Sequence, residues 1–333
     1  MKLTVLGLGC WGLVLTKLLT PKFDDVWGWS RAQDLSKELL EEKKSKLPFE
    51  VELDKKVNIT HDMQKAISGA DIILLVVSTS AIRTVCQQLK DAGIKDNQIL
   101  VNTSKGLELP SLKRMSEVIK EVLPNQKFAV LSGPTLAREV LEGQPTAACV
   151  ASYDIEISKF VQKHLNVDTK FRLYTNDDVA GVEFGGSLKN VIAIAAGFLS
   201  ELNLGDNAKG AILTRGMAEI VRVGTALGAN PSTFWGLSGM GDLIATCSSP
   251  LSRNHTVGRM LARGKKIDDI LSELGSVAEG VKTSKAICEL SEKLGIDTPI
   301  SHAIYKAVYS SENSKEIFMN LMLRSLKAEE TFA

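Results

Sequence analysis

Six short apolar runs recur through the first half of the chain: LTVLGL at 3–8, DVWGW at 25–29, DIILLVV at 71–77, QILVNTS at 98–104, FAVLSG at 128–133 and TAACVA at 146–151. Runs of this length, bounded by glycine, proline and polar residues, read as strands. Segments of helical spacing such as SAIRTVCQQLKDAG and LKRMSEVIKEVLP lie between them. Strand, helix and strand in succession make a crossover, and crossovers join parallel strands, so the pattern predicts an α/β fold with a doubly wound sheet. The charged stretch at 41–59, which contains Pro48, reads as a helix end and a surface excursion before the sheet resumes. Beyond about residue 177 the strand pattern gives way to long helical segments, from VEFGGSLKNVIAIAAGFLSEL to KTSKAICELSEKLG. Two domains are expected, a sheet domain over 1–178 and an all-helical domain over 179–333, and 333 residues with 44% hydrophobic content suffice for two cores.

The first apolar run breaks into Gly7-x-Gly9-x-x-Gly12, followed by the apolar LVLTKLL. A strand, this spacing and then a helix make the context of a dinucleotide cradle. Gly7 makes the tight turn, Gly9 lets backbone approach a pyrophosphate, and Gly12 lets the helix sit close to the strand with its first amides facing the phosphates. The second run should end near the adenosine ribose, where an acidic residue would accept from the 2′-hydroxyl of NAD. Ser30 and Arg31 stand there instead. A hydroxyl and a guanidinium suit a 2′-phosphate, which predicts NADPH as the preferred cofactor with NADH still usable. The plainer alternative is a surface arginine, and Asp34 a turn later keeps both open.

Lysine and arginine number 40 against 39 acidic residues, a net charge of +1, so no global field draws the chain to nucleic acid or a membrane surface. The five cysteines lack Cys-x-x-Cys spacing, the four histidines lack metal-ligand spacing, and no nucleophile elbow or carboxylate pair is present. Reduced thiols, no metal and no hydrolase chemistry are expected. The N-terminus lacks a secretory pattern and the longest uninterrupted apolar runs, such as VIAIAAGFL, are too short to span a bilayer, so a cytoplasmic protein is expected.

Ligands of open α/β sheets bind beyond the carboxyl ends of the strands. Lys105 follows the fourth run there, and Gly133, Pro134 and Thr135 follow the fifth. Lys189 stands in a long segment of small apolar residues. Two readings fit it: a buried amine with lowered pKa suited to proton transfer, or a lysine reaching from one helical face to water. In GLSGMGDLIATCSSPLSRN a glycine-rich loop delivers Asp242, and Ser252, Arg253 and Asn254 open the next helix. Such a triplet can hold a phosphate or carboxylate, or simply cap the helix. Glu279, in SVAEGVKTS, is a further carboxylate at a helix start.

Taken in order, GLGCWG, NTSKGLE, SGPTLAREV, VEFGGSLKNVIAIAAG, GLSGMGDLIATCSSPLSRN and VAEGVKT resemble the successive motifs of the NAD(P)-dependent glycerol-3-phosphate dehydrogenases of bacterial type, from residue 3 to about 285. The resemblance implies an N-terminal Rossmann domain with a helical C-terminal domain like that of 6-phosphogluconate dehydrogenase, a cytoplasmic homodimer, and reduction of dihydroxyacetone phosphate to sn-glycerol 3-phosphate for phospholipid synthesis. It further implies Lys189 as the catalytic lysine, with Lys105 and Asp242 beside it. Lys105, Gly133, Thr135, Lys189, Asp242, Ser252, Arg253 and Asn254 are the implied substrate contacts. Gly7, Gly9, Cys10, Trp11, Gly12, Arg31, Lys105, Ala137, Arg253, Val277 and Glu279 are the implied cofactor contacts. Two features depart from the family pattern: Cys10, where alanine or serine is common, and the bulky LVLTKLL in the first helix. Two rivals remain, a dehydrogenase of the same plan acting on a β-hydroxy or sugar acid, and a non-catalytic NADPH sensor needing the cradle but not the lysines and Asp242 together.

Overall fold

The computed structural model describes residues 1–46, 49–275, 278–310, 312–326, 328 and 329, so Pro48 and Val277 lie outside the described residues. The chain forms two compact units, 1–104 with 115–179, and 105–114 with 180–333.

The first unit holds β1 (Lys2–Leu6), β2 (Asp25–Trp29), the short β3 (Lys44–Ser45) and β4 (Val51–Glu52), β5 (Asn58–Thr60), β6 (Ile72–Leu75), β7 (Ile99–Asn102), β8 (Lys127–Ser132), β9 (Thr146–Ala151) and β10 (Phe171–Asn176). Eight of these make one sheet in the order β10-β9-β8-β7-β6-β1-β2-β5. Successive side chains of a strand face opposite sides, and both sides are buried here. Leu3, Val5, Ile72 and Leu74 pack with Leu13, Leu15 and Leu19 of α1 (Cys10–Leu19) and Val161 and Leu165 of α6 (Ile155–Leu165). On the other face Leu6, Ile73, Leu75 and Leu100 meet Ala66 and Ile67 of α2 (Met63–Ile67), Val85 and Leu89 of α3 (Ile82–Asp91), and Val118 and Ile119 of α4 (Met115–Val122). Burial on both faces is why these strands read as unbroken apolar runs. Each such side chain contributes roughly 1.5–3 kcal/mol.

Three details differ from the sequence reading. β9 runs antiparallel to β8, while the other neighbouring pairs of this sheet are parallel. The link between them contains only the five-residue α5 (Ala137–Leu141), about 7.5 Å of helix against a strand of about 20 Å, so it does not carry the chain back for a parallel return. β10 was not anticipated, because its alternation of buried Phe171 and Leu173 with exposed Arg172 and Tyr174 marks a sheet edge and not an apolar run. The 41–59 excursion is also more than surface. Val51, Leu53 and Val57 join the same core as α1, with β3 and β4 as an antiparallel hairpin.

The second unit is built on α7 (Val179–Glu201), α8 (Gly205–Ala226), α9 (Asp242–Ser248), α10 (Arg253–Ala262), α11 (Ile267–Leu274), α12 (Glu279–Leu294), α13 (Pro299–Tyr309) and α14 (Ser314–Met322). By length and composition α7 reaches the range of a bilayer-crossing helix, contrary to the expectation drawn from its longest apolar run, but its apolar window is entirely buried inside the protein. Small residues allow that burial. A Cβ on Gly197 would lie 2.0 Å from the His255 carbonyl oxygen, and one on Gly258 would lie 1.9 Å from that of Ile194, so α7 and α10 touch backbone to backbone. Elsewhere Glu219 of α8 is buried as a cap for α13: it accepts from the Ile300 amide at 2.6 Å, the Ser301 amide at 3.1 Å and the Ser301 hydroxyl at 2.9 Å. Burial pushes its carboxyl up to about 7 against the pull of those donors.

Gly258→Ala is expected to force α10 off α7 and to destabilise by about 2–3 kcal/mol. Gly210→Ala, on α8 with nothing within 4 Å of the added Cβ, is expected to stabilise by roughly 0.5–1 kcal/mol through helix propensity alone. Urea unfolding midpoints of the two variants measure the contrast.

Candidate active site

In the second unit the site begins with a spacing on α7. Gly185 and Lys189 are four residues apart and share a face of the helix. A Cβ on Gly185 would come within 2.7 Å of the Ser238 carbonyl oxygen, so the wide turn Leu237–Gly241 runs directly against that face. The turn delivers Asp242 at the start of α9. Lys189 Nζ donates to Asp242 Oδ1 at 2.7 Å and to Thr246 Oγ1 at 2.5 Å, and Thr246 Oγ1 donates to the same Oδ1 at 3.1 Å. Lys189 is only 6% exposed, so the amine is buried and does not reach for water.

Lys105 arrives from the short 105–114 segment, which belongs to this unit and not to the sheet unit. Leu107 is inserted in the helical core, Leu107 and Arg114 bridge as in a hairpin, and Arg114 pairs with the buried Glu183 of α7 at 3.0 Å. So anchored, Lys105 Nζ donates to Asp242 Oδ2 at 2.7 Å. One carboxylate, 2% exposed, thus serves two ammonium groups, leaving a net positive charge in a largely dehydrated place. Burial, with a smaller push from Lys189, brings the Lys105 pKa down to about 8 although Asp242 opposes the change. Cys247 lies beside this cluster with its thiol pushed up to about 12 by burial, so it stays protonated.

Ser252 caps α10, accepting from the His255 amide at 3.2 Å, and Arg253 is exposed at the first position of the helix. Asn254 is buried and spans three elements: its Nδ2 donates to Asn190 Oδ1 on α7 at 2.9 Å, and its Oδ1 accepts from the Gly280 amide at 3.0 Å near the start of α12. Glu279 is half-buried as the first residue of α12. The sequence reading missed Thr246. The available signal was a hydroxyl one helical turn after Asp242.

In the first unit Gly7 has φ +104°, and a Cβ on it would lie 2.4 Å from the Val76 carbonyl oxygen. A Cβ on Gly12 would lie 1.8 Å from the Gly7 carbonyl oxygen, so the bulky residues of α1 do not keep the helix from the turn. Cys10 and Trp11 open α1 and are both half-buried, with Trp11 edge-on to Phe171 at 6.4 Å. Arg31 follows β2 and pairs with Asp34. Gly133, at φ +144°, follows β8; Thr135 donates to its carbonyl oxygen at 3.1 Å, and Ala137 starts α5.

Models of the NAD-dependent glycerol-3-phosphate dehydrogenase N-terminus and C-terminus match residues 2–158 and 178–319. The chain belongs to the NAD-dependent glycerol-3-phosphate dehydrogenase family. It is similar to a glycerol-3-phosphate dehydrogenase [NAD(P)+] of Thermoanaerobacter sp. (strain X514), 43% identical over 99% of both chains. To the protein of the same name from Lysinibacillus sphaericus (strain C3-41) it is 44% identical over 98% of both. Among solved structures, a glycerol-3-phosphate dehydrogenase from Coxiella burnetii superposes with a TM-score of 0.91 at 31% identity, covering 97% of this chain and 99% of that one. A ketopantoate reductase from Ralstonia eutropha, 14% identical with a TM-score of 0.58 over 97% of this chain and all of that one, shares the fold alone. As a glycerol-3-phosphate dehydrogenase family member the chain is an oxidoreductase that uses a nicotinamide dinucleotide.

The glycine turn fits such a cofactor. Gly7 and Gly12 are required by the chain's own backbone, but Gly9 is exposed and has nothing within 4 Å of where its Cβ would be. Its missing side chain fills no internal need, and as the N-cap of α1 it places no side chain at the helix start, where a phosphate would approach. Gly9→Ala is expected to leave the thermal midpoint unchanged while weakening NADPH binding, read by quenching of the intrinsic tryptophan fluorescence, about tenfold or more. Gly7→Ala is expected to lower the midpoint.

Proposed function

We propose that this chain reduces dihydroxyacetone phosphate to sn-glycerol 3-phosphate, with NADPH preferred over NADH. The observation that carries the reading is the buried cluster of Lys189, Lys105 and Asp242, a positive site of the kind a developing alkoxide requires. The sheet domain, 1–178, binds the dinucleotide through Gly7 to Gly12, Arg31 and Ala137. The helical domain, 179–333, binds substrate, with Lys105 added from its hairpin.

When bound, the nicotinamide supplies the hydride. As the ketone carbon is reduced, charge builds on its oxygen. With two of its three donors spent on Asp242 and Thr246, Lys189 turns the third to that oxygen and gives up the proton. Asp242 keeps the amine oriented, and Lys105 adds the second positive charge. The exposed guanidinium of Arg253, the Ser252 hydroxyl and the first amides of α10 grip the phosphate, and Asn254 fixes that helix start against α7. In the reverse direction the neutral lysine is the base. The protein works as a cytoplasmic homodimer without nucleic-acid or membrane partners, and its product feeds glycerophospholipid synthesis.

The test is NADPH oxidation with dihydroxyacetone phosphate, run beside NADH and beside unphosphorylated dihydroxyacetone. Turnover confined to the phosphate ester, falling roughly 10²–10⁴-fold in Lys189→Met, is expected; wild-type turnover in that variant overturns the assignment. The pH profile supplies a second test. Reduction requires the cluster's full charge, so kcat/KM should fall as pH rises through about 8, where Lys105 loses its proton, and the reverse oxidation should rise over the same range. In Lys105→Arg the descending limb is expected to move well above pH 8, because a guanidinium keeps its charge.

A further inference from the structure

After β2 the chain turns once at Ala32–Asp34, with the Asp34 amide donating to the Arg31 carbonyl oxygen at 2.9 Å. The turn folds the Asp34 carboxylate back onto the Arg31 guanidinium, which donates from Nε to Oδ2 at 2.7 Å and from an Nη to Oδ1 at 3.1 Å. This two-point contact covers the fork that would receive a phosphate. The pair is exposed, 66% for Arg31 and 38% for Asp34, so water and salt weaken it. A 2′-phosphate therefore has to displace Asp34 or sit beside a like charge, whereas a ribose 2′-hydroxyl can donate to Asp34 with the pair intact.

We propose that Asp34 is a specificity-determining residue: by occupying Arg31 it restrains the preference for the 2′-phosphorylated dinucleotide and keeps the unphosphorylated one usable. The inference rests on Arg31 as the 2′-phosphate contact. It makes the ratio of the two cofactors a property of a surface ion pair and not of Arg31 alone. An exposed pair of this kind is weak enough to be displaced and strong enough to shift affinity about two- to fivefold.

The experiment is calorimetric binding of 2′,5′-ADP and of 5′-AMP to the wild-type protein, Asp34→Asn, Arg31→Ala and the double variant, followed by kcat/KM with NADPH and NADH. Asp34→Asn is expected to tighten 2′,5′-ADP about two- to fivefold, to leave 5′-AMP unchanged or weaker, and to have no such effect when Arg31 is absent. Unchanged 2′,5′-ADP affinity in Asp34→Asn, or the same gain in the Arg31→Ala background, overturns the role of Asp34. If Arg31→Ala alone leaves the discrimination between the two nucleotides intact, the Arg31 reading itself falls, an outcome distinct from the failure of Asp34 with Arg31 still contributing.

Discussion

The helical unit is organised around one buried carboxylate. Asp242 accepts from Lys189 on one oxygen and from Lys105 on the other. Removing an ammonium group from water costs several kcal/mol, and only close, well-directed partners offset that cost. The surrounding structure supplies them: Gly185 admits the turn that carries Asp242, Thr246 takes a second donor of Lys189, and Leu107 with the Arg114–Glu183 pair anchors the segment bearing Lys105. Loss of Asp242 would leave two like charges facing each other in a place with little water. The ion cluster is thus a constraint on the fold as much as a chemical device.

The glycines of the two units divide by what they are for. Gly7, Gly12, Gly185, Gly197 and Gly258 are required by the chain itself, since a Cβ at each would strike backbone. Gly9 meets nothing. The difference separates a stability requirement from the ligand role proposed for Gly9 within one six-residue motif, which the spacing of glycines alone does not do. Asn254 has a structural role beside the one proposed for it, for its amide ties α7 and α12 together at the start of α10.

Strands β1, β2 and β6 to β9 were legible because burial on both faces makes them continuous apolar runs, and the helical half was legible from its period. β10 was not, because only one of its faces is buried. The direction of β9 was not, because it depends on the reach of a link and not on the strand's own residues. The length and apolar character of α7 fit either a membrane or a protein core, and its surroundings, not its composition, make it a core helix.

The amino-acid sequence by itself determined the two architectures, the glycine turn and the residue types able to carry charge, because periodicity and local turn chemistry act over a few neighbouring residues. Only the tertiary structure decided which of those charges meet. Lys105, Lys189 and Asp242 lie 53 to 137 positions apart along the chain, and whether Lys189 is buried or reaches water, whether Thr246 touches it, and whether Arg31 stands open or covered by Asp34 are matters of distance in space. Electrostatic and hydrogen-bond energies fall steeply with that distance, so they become defined only once the backbone has brought the groups together.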